Sequence, residues 1–177
     1  MTARKLLPNN RLSETTMSTC GYCGGTYVDD NFLEFLEKKV GKSAMDELKE
    51  KNYGQVNYML QQFWFQAKIP FTGKESDFDT FELDIERTCP ALTKYVTGSQ
   101  KDQLIEDEWT IDIEFDTVKG FFDPVINVIL DLIKQQLKKC SDSSVIFLVG
   151  GFSESKYLQS RVKQKFEHQI KIVGMFI

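Results

Sequence analysis

A chain of 177 residues is long enough for one domain, or for two small subdomains, with a real core. Hydrophobic residues make up 41% and charged residues 27%, as in a soluble globular protein, and a net charge of −4 without a basic block gives a nucleic-acid role no electrostatic support. No apolar run approaches the ~20 residues of a membrane span and no leader with a hydrophobic centre opens the chain, so the expectation is a cytoplasmic protein with neither membrane nor nucleic acid as partner.

Residues 1–19 are polar and weakly patterned; Pro8-Asn9-Asn10 is a turn signal, and residues 5–7 are expected to be the tail of a hairpin whose start is missing. Cys20 and Cys23 have the spacing of a thiol-disulfide pair. Such a pair expects a buried strand before it and a helix running straight from it, whereas polar residues precede this one and Gly24-Gly25 succeeds it. A zinc site needs a second close ligand pair, which Cys89, Cys140 and His168 do not supply, so the cysteines are read as incidental reduced thiols. After Gly24-Gly25, Phe32, Leu33, Phe35, Leu36 and Val40 recur at helical spacing, with Asp29 or Asp30 as the cap and Gly41 as the stop. Two glycines before a helix serve either as an ordinary entry turn or as a place where a ligand approaches the backbone closely.

Residues 43–68 are again helical, carrying Met45, Leu48, Val56, Met59, Leu60, Phe63, Trp64 and Ala67, with a break at Tyr53-Gly54 and a stop at Pro70. Lys68 then lies at a helix C-terminus, where a cation complements the dipole. Residues 78–85 and 109–115 alternate apolar and polar side chains and predict two antiparallel, half-exposed strands. The charged residues 89–108 between them read as a surface connection with a short helix near residues 101–107.

From Asp116 a long helical pattern runs to Leu137; Pro124 is expected to kink it, with Asp123 able to cap the segment beyond the kink. Residues 145–149 are uninterruptedly apolar and predict a fully buried strand. Gly150-Gly151 ends that strand, and Ser153 or Ser155 caps a helix whose stripe is Tyr157, Leu158, Val162 and Phe166. Strand, Gly-Gly turn and helix N-terminus together suit a nucleotide or another anion, and a Cβ at Gly151 is expected to be costlier than a change at Phe152, through positive φ. Residues 170–177 read as a last short strand.

The stretch from Val149 to Ser155, Val-Gly-Gly-Phe-Ser-Glu-Ser after an apolar strand, resembles the adenosine motif of the actin-like ATPases, most closely the divergent twelfth subfamily of the seventy-kilodalton heat-shock proteins. The resemblance runs from about Cys23 to Phe166. It implies an α/β fold: the second lobe of an actin-like, ribonuclease H-like ATPase domain truncated at both ends, with a smaller helix and strand subdomain at about residues 31–115 and a sheet-containing part at about residues 1–30 and 116–177. It further implies that the Gly150-Gly151 turn lies against adenosine, that Gly24-Gly25 approaches the nucleotide from another side, that Lys68 contacts adenosine and that Thr72 keeps a hydroxyl near its expected place. Phe65 and Ile69 depart from the family's charged neighbours of that lysine. Phe152 stands where the family has a hydroxyl and Glu154 where it has a base that stacks on adenine.

The implied ligand is ATP or ADP, bound weakly or not at all by this chain, with magnesium only when the missing lobe is present. The phosphate loops of the family belong to sequence absent here, so no catalytic residue is expected. A co-chaperone or a client protein is implied for a full-length form. The alternative is a non-catalytic interaction module or pseudo-ATPase lobe, with a thiol oxidoreductase a distant third.

Overall fold

In the computed structural model the described residues are 2–16, 21 and 23–174. They fall into two units, Val28–Phe121 and the combination of Met1–Tyr27 with Phe122–Ile177.

Within Val28–Phe121 the core grows from helix α1 (Thr26–Val40), where Val28, Phe32, Leu36 and Val40 recur every fourth residue and are all buried. Phe32 stacks on Phe63 at a centroid distance of 4.3 Å, and Phe121 meets both rings edge-on at 6.1 and 5.9 Å, the offset and T-shaped geometries that aromatic quadrupoles favour. Gly41, at φ 91°, turns the chain into α2 (Lys42–Lys51), which buries Ala44, Met45 and Leu48. The break near Tyr53 falls at Asn52, and α3 (Tyr53–Phe63) continues into a five-residue π turn, Trp64–Lys68. Strands β3 (Phe81–Asp84) and β4 (Thr110–Ile113) pair antiparallel, with Phe81 opposite Ile113 and Leu83 opposite Ile111 on the buried face, as the alternation predicts.

Residues 89–108 correct the expectation of a surface connection. They form α5 (Leu92–Tyr95) and α6 (Gly98–Glu106), after the single turn α4 (Ile85–Thr88) that Asp84 caps by accepting the Arg87 N–H at 2.9 Å. Cys89, Ala91, Leu92, Val96 and Leu104 are buried. Each short helix contributes one or two core residues, too few to build a periodicity that sequence can display.

In the other unit, β1 (Arg4–Leu7) and β2 (Arg11–Glu14) form a hairpin across Pro8–Asn10, with Leu6 opposite Leu12, and every described side chain of the two strands is exposed. Residues 5–7 are thus in the first arm of a hairpin and not, as expected, the tail of one, because the Pro8–Asn10 turn folds the following residues back onto them. Helix α7 (Phe115–Lys139) enters this unit at Phe122 and passes through Pro124 without ending. The proline removes a hydrogen bond to the Gly120 carbonyl, but Gly120 is exposed, so water can serve that oxygen. Strand β5 (Val145–Leu148) pairs parallel with β6 (Lys171–Gly174), and α8 (Lys156–Phe166) makes the crossover between them.

The expectation of a fully buried strand at residues 145–149 is also corrected. Leu148 is buried, whereas Phe147 is 59% and Val149 65% exposed, and Val149 lies beyond the strand. Among the described residues β5 has one neighbour, so its alternate side chains divide between a covered face and an open one. Residues 175–177 of the expected last strand lie outside the described residues. Helices with small two-stranded sheets are compatible with the α/β class. No described helix is long and apolar enough to cross a membrane.

Candidate functional site

The turn after β5 is shaped by its first glycine. Gly150 sits at φ 96° and ψ 163°, a region open essentially to glycine alone. Gly151, expected to share that constraint, starts a 3-10 turn (Gly151–Glu154) and has no positive φ; the two residues divide the labour because a single inverted residue is enough to reverse the strand's direction. A Cβ built on either glycine meets nothing within 4 Å, so open space lies beside both.

Ser153, one of the two candidate caps, is buried and serves the turn: its N–H and its hydroxyl donate to the Gly150 carbonyl at 2.8 and 2.6 Å, and its own carbonyl accepts from Gln159 at 2.8 Å. Ser155 is the cap of α8, its Oγ accepting the Leu158 N–H at 3.2 Å. Phe152 is half-buried and stacks on Phe122 with centroids 6.2 Å apart and planes 25° from parallel, so one face of its ring is occupied from within. Glu154 is exposed beside it. Gly150, Gly151, Phe152 and Glu154 are thus brought together in one turn.

The other glycine pair belongs to the same unit and leads into α1, where the Tyr27 N–H donates to the Gly24 carbonyl at 3.1 Å and Gly25 is the last residue before the helix. A Cβ at Gly24 would touch the Thr26 hydroxyl at 3.6 Å. Because α1 already begins at Thr26, Asp29 and Asp30 lie inside the helix and not at the cap position expected of them.

Lys68 and Thr72 belong to Val28–Phe121. Both are engaged there. The Lys68 ammonium donates to Asp29 Oδ1 at 2.6 Å, the same oxygen accepts the Trp64 indole N–H at 2.7 Å, and Lys68 Nζ lies 5.7 Å from the centre of the Trp64 ring. The Thr72 hydroxyl donates to Asp77 at 3.1 Å and accepts from the Lys74 N–H at 3.2 Å. Phe65 and Ile69, on the flank of the π turn, are 70% and 61% exposed. The sequence marks Asp29 as a candidate cap and Trp64 as part of a helical stripe, and neither as a partner of Lys68; the available signal was an acid within the first turn of a helix, directly after the buried Val28.

A second polar cluster joins α7 to α8. Asp123 Oδ1 accepts from the Tyr157 hydroxyl and from Arg161, each at 2.6 Å; Arg161 also donates to the Tyr157 oxygen at 2.7 Å and to Asn127 at 3.0 Å. Burial, and then the hydrogen bond to Asp123, push the Tyr157 pKa up. Asp123 is therefore a helix-to-helix link and not a cap.

Of the thiols, Cys20 lies outside the described residues, and with it any test of its pairing with Cys23. Cys23 donates to the Gly21 carbonyl at 3.4 Å, and Cys89 is fully buried, with burial pushing its pKa up to about 11. No three His, Cys, Asp or Glu side chains among the described residues are grouped so as to hold a metal ion.

The chain is distantly similar to heat shock 70 kDa protein 12A. The Homo sapiens protein of that name is 24% identical over 184 aligned residues, which cover 94% of this chain and 26% of the relative, and the Mus musculus protein gives the same figures. The chain thus spans about a quarter of the length of the curated relatives it matches. No family model matches it, and no solved structure matches it.

Proposed function

We propose that the chain forms the adenosine-facing part of a heat-shock-70-like nucleotide-binding lobe. The observation that carries this reading is the Gly150-Gly151 turn, where an inverted glycine and open space beside two missing side chains lie between a parallel strand and a capped helix. The similarity to heat shock 70 kDa protein 12A, extending over 94% of the chain, supports the same reading. In it, the open turn receives the nucleoside, Gly24, Gly25, Lys68 and Thr72 supply further contacts, and Phe152 and Glu154 flank the turn. Magnesium would arrive with phosphate-binding loops, and no residue here is assigned to it.

The residues fit a nucleoside better than its phosphates. Asp29 engages the Lys68 ammonium and Glu154 adds a negative charge beside the turn. The same internal engagements, with Phe152 stacked on Phe122, favour a second reading, a non-catalytic lobe that serves as an interaction module.

Calorimetric titration with adenosine, ADP and ATP separates the two. Under the nucleotide reading adenosine binds weakly, and Gly151→Val, which fills the open space without a positive-φ penalty, abolishes binding while the far-ultraviolet circular dichroism is unchanged. Failure of all three ligands to bind the folded chain would leave the interaction module.

A further inference from the structure

We infer that Asp29 is a positioning residue, whose carboxylate, shared with the Trp64 indole, holds the Lys68 ammonium in place and sets what that lysine offers to a ligand. The inference rests on the proposed nucleotide reading only for the identity of the ligand. Its basis is one oxygen atom: Asp29 Oδ1 takes the ammonium at 2.6 Å and the indole N–H at 2.7 Å. The Lys68 and Asp29 side chains are 17% and 11% exposed, so neither charge is hydrated well enough to stand alone, and each requires the other.

The backbone supports the arrangement. Asp29 is in the first turn of α1, where the positive end of the helix dipole favours a carboxylate. Trp64 and Lys68 open and close a π turn in which the Ile69 N–H reaches back to the Trp64 carbonyl at 2.9 Å. Such turns are rare and are frequent at functional sites, because the extra residue re-aims the side chains of one face. Here both re-aimed donors converge on the same acceptor. The pair is neutral overall, and its exposed neighbours Phe65 and Ile69 are apolar, so the surface offers hydrogen-bond donors without a net positive charge.

Lysine acylation, with cysteine alkylation in parallel and peptide mass spectrometry as the readout, tests the assignment in the whole chain. Exposed Lys74 serves as the internal reference, and protection of Cys89, fully buried in the same unit, reports that the fold is intact. Asp29→Asn should raise the acylation rate of Lys68 relative to Lys74 by roughly tenfold, the factor that about 1.4 kcal/mol represents, with Cys89 still protected. An unchanged ratio with Cys89 protected overturns the inference. Should Asp29→Asn expose Cys89, the parent chain decides: a nitrogen-labelled sample should show a slowly exchanging ammonium resonance that Lys68→Arg removes, and its absence overturns the inference equally.

Adenosine titration of the parent chain is a separate arm. Loss of that binding alone removes the proposed ligand and leaves the role of Asp29 standing. Binding that persists while Lys68 reactivity ignores Asp29→Asn removes the positioning role and leaves the nucleotide reading.

Discussion

Gly150 and Gly151 are adjacent and chemically identical, yet the backbone asks different things of them. At φ 96° and ψ 163° a Cβ on Gly150 is strained whatever space surrounds it, and Gly150→Ala should cost about 1–3 kcal/mol. Gly151 lies in an ordinary 3-10 turn, so Gly151→Ala should be neutral or stabilise by about 0.4–1 kcal/mol through a less disordered unfolded chain. Urea midpoints of the two variants measure this, and coincident midpoints would contradict it. The dipeptide was legible in the sequence as a turn, but which glycine inverts depends on where strand pairing stops, and composition does not encode that.

Cys89 gives a pH dependence of definite sign. Its thiol titrates near 9.0 in an unfolded chain and is pushed up to about 11 in the fold by burial. Below the lower value both states are protonated and the full stability is present. Between the two the unfolded chain loses its proton while the native one keeps it, so stability falls by about 1.4 kcal/mol per pH unit as pH rises through that window. Comparing the parent with Cys89→Ala at the two ends of the window isolates this contribution; equal losses in both chains would show that another group is responsible.

At the level of elements, α7 and α8 are joined by Asp123, Tyr157 and Arg161. Tyr157→Phe removes one hydroxyl and should cost about 0.5–1.5 kcal/mol, whereas Asp123→Ala strips the acceptor from both a buried hydroxyl and a guanidinium and should cost more, about 1–3 kcal/mol. The double variant should cost less than the sum, and strict additivity in thermal or urea unfolding would argue that the three residues do not act as a unit. The sequence hides this link, because Asp123 beside Pro124 has the signature of a cap and its partners lie 34 and 38 positions away. The paired strands β3 and β4 were legible, since each buries alternate residues on one face. The strand β5 was legible as a strand but not in its burial: a continuous apolar run says that both faces tolerate cover, while the number of neighbouring strands decides whether cover is present.

At the scale of the whole chain, the residues expected to meet a nucleotide are divided between the two units, the glycine turns with Phe152 and Glu154 in one and Lys68 with Thr72 in the other. Several of these side chains also have partners within their own unit: Lys68 bonds to Asp29, Thr72 to Asp77, and the Phe152 ring stacks on Phe122. Under the proposed reading the open space beside Gly150-Gly151 receives the nucleoside, and the turn itself carries no cation to receive a triphosphate. Charge-assisted hydrogen bonds supply most of the affinity of phosphate sites, so adding phosphates to adenosine should not tighten binding to this chain, and the Glu154 charge opposes them. The expected order is therefore adenosine at least as tight as ADP, and ADP at least as tight as ATP, with no sub-micromolar site and no phosphate release above a protein-free control. Glu154→Lys should reverse the order by placing a cation beside the turn without disturbing its backbone, since Glu154 is exposed. Tight ATP binding or turnover by the parent chain, or a nucleotide order that ignores Glu154→Lys, would show that phosphates are held by residues other than these.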